Sequence, residues 1–271
     1  MEKEEVVIIP WVKVANIETY YTCPVKDNIS TTSNPIALFV HGVGGSSKHW
    51  NPLLSELGEQ IVPISIDLPG HGKSKGKVLS SISAVVDFLC NFLEALEIKK
   101  PVIYVGHSVG GLIGLQFTLT HPEKVNKLCI ICSAAKIQLH PDFFNQVMNN
   151  NWDMELLRKS FAEEIPEYVK NIVLDEFYLT RLNDNSTDFM NLKAVDLRDQ
   201  IKFIDIPSLI ITGDDDVIIS PRHSKFLSNQ IKNSNIIRIN KGGHYVQVEQ
   251  PEIVANNIKT FCFKEGVSSL S

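Results

Sequence analysis

The feature that most limits what this chain can fold into is a recurrence of short apolar runs rich in Val and Ile: Val6 to Ile9, Ile36 to Val40, Ile61 to Ile66, Val102 to Val105, Leu128 to Cys132, Ser208 to Ile211 and Ile236 to Ile239. Runs this short, apolar at successive positions and bounded by Gly, Pro or Asp, predict strands buried on both faces. Helical stretches lie between them, at Trp50 to Glu59, Ile82 to Leu96, Val109 to Thr120, Pro221 to Gln230 and Pro251 to Phe263. The alternation predicts an α/β protein, a largely parallel sheet with helices on both faces.

One interval breaks the rhythm. From about Lys136 to Asp199 no central strand is expected, and aromatic residues (among them Phe143, Phe144, Trp152, Phe161 and Phe177) are interleaved with charges at roughly helical spacing. This predicts a helical lid, residues 136–199, inserted into a core made of residues 1–135 and 200–271. Neither an internal repeat nor a linker marks an independent domain.

Composition narrows the function classes. With 271 residues, 44% of them hydrophobic, the chain is long enough to bury roughly 75% of its unfolded surface and to build a sizeable core. A net charge of −5 without a basic run offers no electrostatic footprint for nucleic acid. The N-terminus is acidic before the stretch Val6 to Trp11 and lacks the basic start and cleavage site of a signal peptide, so a cytoplasmic location is expected. No run approaches the roughly 20 apolar residues of a membrane span. The sparse cysteines (Cys23, Cys90, Cys129, Cys132 and Cys262) do not read as a disulfide framework. Cys129-x-x-Cys132 falls in an expected strand with no second pair or nearby His in sequence, and is read as buried structural thiols.

The strongest local signal for chemistry is Gly106-His107-Ser108-Val109-Gly110, between the strand Val102 to Val105 and a helix. A serine on so sharp a turn has strained backbone angles, and small residues two positions either side are required by the close passage of the flanking chain. A hydroxyl there needs a base, and the base an orienting carboxylate. After the strand Ser208 to Ile211 comes Gly213-Asp214-Asp215-Asp216, and after Ile236 to Ile239 comes Gly242-Gly243-His244. The candidates are therefore Ser108, one of the three aspartates, and His244, each following a strand's C-terminal end. Of the other histidines, His49, His121, His140 and His223 read as surface or helix-end residues, and His107 as pointing away from the serine.

Two decoys are set aside. Gly72-Lys73-Ser74 resembles the end of a phosphate-binding loop, but Asp67 stands where that loop needs its first glycine. The glycines at 106, 110, 111 and 114 do not give a dinucleotide fingerprint. No nucleotide cofactor is indicated, and no close ligand spacing suggests a metal.

The sequence resembles the α/β-hydrolase superfamily from His41 to the end. The resemblance rests on His41-Gly42-Val43-Gly44-Gly45, Asp67-Leu68-Pro69-Gly70-His71-Gly72-Lys73-Ser74, the Ser108 elbow, Gly213-x-x-Asp216, and Gly243-His244 followed by Glu249-Gln250-Pro251. It implies an α/β-hydrolase fold with about eight strands and a helical lid, and Asp216 as the acid because it stands three residues after the glycine. It also implies an oxyanion hole made by the backbone N–H groups of Val43 and Val109.

The expected activity is that of a serine hydrolase: a Ser108–His244–Asp216 triad cleaving a carboxylic ester or lactone of a mainly apolar small molecule through an acyl-enzyme. Trp50, Phe143, Phe144 and Trp152 are the expected pocket residues. The alternatives are a slowly turning-over ligand sensor, or a carbon–carbon bond hydrolase, thioesterase or perhydrolase on the same triad. The partner is expected to be a small-molecule substrate, without nucleic acid or membrane, for a monomer or homodimer.

Overall fold

A computed structural model of the chain describes residues 11–24, 29–138, 145, 148–149, 154–181 and 186–263. The strands are β1 (Trp11–Val14), β2 (Ile17–Thr22), β3 (Ile36–Val40), β4 (Val62–Ile66), β5 (Val102–His107), β6 (Val125–Ile131), β7 (Ser208–Gly213) and β8 (Ser234–Ile239). They form one 8-stranded sheet in the order β1-β2-β4-β3-β5-β6-β7-β8. β2 runs antiparallel to both β1 and β4, and every other pair is parallel.

The α-helices among the described residues are α1 (Asn51–Leu54), α2 (Ile82–Ala95), α3 (Val109–Thr120), α4 (Met154–Lys159), α5 (Glu167–Arg181), α6 (Ser186–Lys193), α7 (Pro221–Gln230), α8 (Val246–Glu249) and α9 (Pro251–Phe263). Strand alternation divides the core between the sheet's faces. Ile36, Leu38 and Val40 of β3 pack with Phe88, Leu89 and Phe92 of α2 and Leu112 and Leu115 of α3. Ala37 and Phe39 point the other way, toward Trp50, Leu53, Val254 and Ile258. Each such side chain, once buried, contributes roughly 1.5–3 kcal/mol, which fixes the register in which the strand ends carry their loops.

The chain leaves β3 toward β4 on one side, while β5 passes to β6 on the other, so β3 and β5 diverge where Val40 pairs with Gly106. Such a switch point opens a crevice at the carboxyl ends of the strands. The lid-like helices α4, α5 and α6 all lie between β6 and β7, as the helical pattern predicts. No helix among the described residues is long and apolar enough to cross a membrane.

Local differences have identifiable causes. The β1–β2 hairpin is not predicted, because its turn is Ala15-Asn16, both at positive φ (44° and 70°), where Asn-Gly would be the usual signal. The helix expected over Trp50 to Glu59 is instead a 3₁₀ turn at Ser47–Trp50 followed by the single turn of α1, and Gly58 at φ 72° ends the segment. The run Val6 to Ile9 lies outside the described residues.

Candidate active site

β5 feeds directly into α3 through Ser108, which sits at φ 52°, ψ −118°. This strain is held by close contact on both sides. A Cβ on Gly106 would come within 2.2 Å of the Gly110 carbonyl oxygen, and one on Gly110 within 2.2 Å of that of Val40. The Ser108 N–H donates to Ile131 O at 2.9 Å, and Ser133 Oγ donates to Ser108 O at 2.5 Å. The loop after β3 lies on this turn, since a Cβ on Gly42 would be 3.0 Å from Ser108 Cβ. That loop holds Val43, and Val109 begins α3, where an amide has no partner within the helix; Val43, Ser108 and Val109 all border the same cavity.

The carboxylate and imidazole come from the two strands at the sheet's far edge. Asp216 Oδ1 accepts the N–H groups of Ile218 and Ile219, both at 2.8 Å. Its Oδ2 accepts from His244 Nδ1 at 2.9 Å, and both side chains are buried. The imidazole is thereby fixed with its proton on Nδ1 and Nε2 left as the basic atom. Of the three aspartates, Asp216 is the one bonded to His244; Asp214 instead faces Arg238 at 2.7 Å near the surface.

The expected serine triad requires a correction. The compact cluster in the structure is Cys132, Asp216 and His244, all buried, with their ligand-type atoms within 4.8 Å of one another. Among the described residues, the imidazole–carboxylate link is the only hydrogen bond of the expected relay; the Ser108 hydroxyl makes none to His244, and the third clustered group is a thiol. The designations serine hydrolase and serine esterase therefore do not describe the observed cluster. The reason is topological: β6 and β7 are neighbours, and Cys132 leaves β6 at φ 47°, which brings its thiol beside the carboxylate after β7.

The surroundings of that thiol limit its chemistry. Cys132 is fully buried, its Sγ approaches Gly243 O at 3.8 Å, and it is not part of the cavity wall. Burial, reinforced by the Asp216 charge, pushes its pKa well above the ordinary thiol value. The three clustered donors resemble a metal-ligand set by type, but both Asp216 oxygens are already committed to backbone N–H groups and the imidazole.

A cavity of about 470 Å³ opens beside these groups, walled by Val43, Val109, Ile137, Leu157, Phe177, Leu192, Val217, Ile218 and Ile219, with Ser108, His49, His107 and His244 among its polar residues. His49, expected at the surface or at a helix end, lies near the end of the 3₁₀ turn Ser47–Trp50 but is buried, and burial lowers its pKa to about 4. The Nε2 of His107 donates to His244 O at 2.9 Å, and burial with His244 nearby holds its pKa well below the usual imidazole value. Trp50 is fully buried against Phe39, with ring centroids 5.2 Å apart, and lies in the core and not on the cavity wall. Phe143, Phe144 and Trp152 lie outside the described residues.

Glu249 is a residue whose role sequence reasoning missed, although it appears in the motif. One of its oxygens accepts from Gly243 N at 2.8 Å and Ala162 N at 3.2 Å, the other from Tyr245 N at 3.0 Å. It thus ties the His244 loop to the insertion, which adds a bond from His244 N to Ser160 O at 2.7 Å. The available signal was an acidic residue shortly after the histidine, two positions before the proline that opens the last helix.

Comparison with known proteins bears on the family and the fold. The chain is 28% identical over 252 residues to a pimeloyl–acyl-carrier-protein methyl ester esterase of Wigglesworthia glossinidia brevipalpis, covering 84% of this chain and 93% of that protein. It is similar to a solved lipase-esterase related protein from Clostridium acetobutylicum, with 27% identity, a TM-score of 0.77 and coverage of 90% and 99% of the two chains. The enol-lactonase from Burkholderia xenovorans shares the fold, with a TM-score of 0.84, 19% identity and coverage of 94% and 100%. Residues 37–257, well over half of the chain, match the family described as the Alpha/beta hydrolase family, and the chain belongs to it.

Proposed function

We propose that this protein is a carboxylic ester hydrolase acting on a mainly apolar small molecule. The observation that carries the reading is the buried His244–Asp216 pair, 2.9 Å apart, whose imidazole borders an apolar cavity of about 470 Å³. The esterase and lactonase names of its relatives support the same reaction class. In this reading His244 takes a proton from the attacking group and returns it to the leaving alcohol, while Asp216 holds the imidazole in one tautomer. Ser108 is the proposed site residue on the cavity wall. The N–H groups of Val43 and Val109 are the proposed oxyanion donors, of which losing one typically costs about 3–4 kcal/mol. Residues 136–199 are read as the cap over this cavity.

The clustering of Cys132 with the dyad favours a second reading for the attacking atom, a thiol relayed through the same imidazole. Mass spectrometry of an acyl adduct trapped during turnover separates the two, because the modified peptide contains either residue 108 or residue 132. The overall reading is tested with a series of p-nitrophenyl esters. Turnover is expected to be better for acyl chains of several carbons than for acetate, and to fall on the order of 10⁴-fold or more in His244→Ala. A wild-type protein inert towards every ester, or a fully active His244→Ala, would sink it.

A further inference from the structure

Glu176 is a buried carboxylate outside the dyad, on α5 of the insertion. Its Oε2 accepts from Ser46 Oγ at 2.6 Å across 130 residues of sequence, and its Oε1 accepts from Lys48 Nζ at 2.5 Å. Ser46 is itself buried and accepts from Lys48 N at 3.2 Å, capping the 3₁₀ turn that follows the 42–46 loop. From the core side, Asp67 accepts from the next amide, Ser47 N, at 2.6 Å. Two carboxylates, one from the insertion and one from the loop after β4, therefore grip adjacent residues of one segment.

The neighbouring residue of α5 repeats the contact. A Cβ on Gly44 would lie only 2.7 Å from the Phe177 ring, so the helix touches the loop on both sides of Gly45. Gly45 N closes the loop on Gly42 O at 3.2 Å, and Val43 within it borders the cavity. Burying a carboxylate is costly unless its acceptor sites are filled, and here each oxygen has a donor. An apolar side chain would pack the helix there without gripping Ser46.

We propose that Glu176 is a positioning residue: through Ser46 it sets the 42–46 loop, and with it the Val43 N–H, so that the oxyanion site is complete only when the helical insertion is seated. This rests on the ester-hydrolase reading above and extends it, since the cap then contributes to the chemical step as well as to the pocket wall.

The experiment compares wild type, Glu176→Ala, Glu176→Gln and Ser46→Ala on one p-nitrophenyl ester, with thermal midpoints in parallel. The expected result for Glu176→Ala is a kcat about 10- to 100-fold lower with KM changed less than about 3-fold, as for a small misplacement of a transition-state donor. A trifluoromethyl ketone analogue should lose affinity in parallel, while the carboxylic acid product keeps its own. Glu176→Gln, which still accepts from Ser46, should recover most of the kcat, and Ser46→Ala should lose it like Glu176→Ala. If Glu176→Ala does not fold, the Ser46→Ala and Glu176→Gln pair decides. An active wild type whose Glu176→Ala and Ser46→Ala keep their kcat would overturn this inference alone, as would equal loss of affinity for analogue and product. A wild type inert towards all esters would overturn the ester-hydrolase reading and this inference with it.

Discussion

The imidazole of His107 donates from Nε2 to the carbonyl oxygen of His244 at 2.9 Å, so the residue preceding the elbow serine anchors the loop of the proposed base 137 residues away. Both rings are buried, with centroids 4.8 Å apart. Replacing His107 by Phe keeps a ring in place but leaves that carbonyl without its donor, a loss of about 1–3 kcal/mol. The expected outcome is a lower denaturation midpoint and a reduced kcat with KM little changed. A variant with wild-type stability and turnover would show that the loop does not depend on this bond.

Asp216→Asn tests the dyad without emptying the site. An amide oxygen can still accept from Ile218 and Ile219, but it no longer stabilises the imidazolium or imposes the same tautomer. Ester turnover should drop on the order of 10³–10⁴-fold with only a small change in thermal midpoint. Steady-state kinetics and a thermal melt check both parts.

Cys132 should resist alkylation in the native protein. It is fully buried and its pKa is pushed well up by burial and by Asp216, so the reactive thiolate is scarce. Cys23, half-buried, should react first with iodoacetamide, and Cys132 only after unfolding. Peptide mass mapping reads this directly. Rapid native alkylation of Cys132 with loss of activity would instead identify the thiol as the attacking group.

A pH dependence of stability follows from another ionic tie of the insertion, His71 Nε2 to Asp188 Oδ2 at 2.7 Å. Burial opposes the charge on His71, but the Asp188 carboxylate, through charge and hydrogen bond, together with the Pro69 carbonyl and the Asp67 charge, outweighs it and raises the pKa. The unfolded imidazole has a pKa of about 6.5. The stabilisation is therefore fully present below that value and lost as pH rises through the higher folded value. His41, His49 and His107, held low by burial, act in the opposite sense, and their contribution is lost as pH falls below about 6.5. Urea midpoints of wild type and Asp188→Asn should thus converge as pH rises above neutrality. A constant difference across pH 6–9 would contradict this assignment.

Much of the architecture was legible because it is written in local pattern. The runs that became β3 to β8 are buried on successive residues or bounded by turn chemistry, and helices Val109–Thr120, Pro221–Gln230 and Pro251–Phe263 begin and end where the pattern places them. The elbow was legible for the same reason: Gly106 and Gly110 stand where an added Cβ would collide with the backbone of Gly110 and Val40. The β1–β2 hairpin was not, because positive φ at Ala15 and Asn16 carries no strong residue signature.

By itself the sequence determined the order of β3 to β8 and of the helices α2, α3, α7 and α9 between and after them, the strained turn at Ser108, and the strand ends that precede Asp216 and His244, since each depends on residues close together in the chain. Only the tertiary structure decided which side chains meet. The adjacency of β6 and β7 set the thiol of Cys132 beside the His244–Asp216 pair. The seating of the insertion buried His49 on the cavity wall and brought Glu176 to Ser46. These contacts arise from packing between elements far apart in sequence, where the apolar pattern specifies which face is buried but not which neighbour it is buried against.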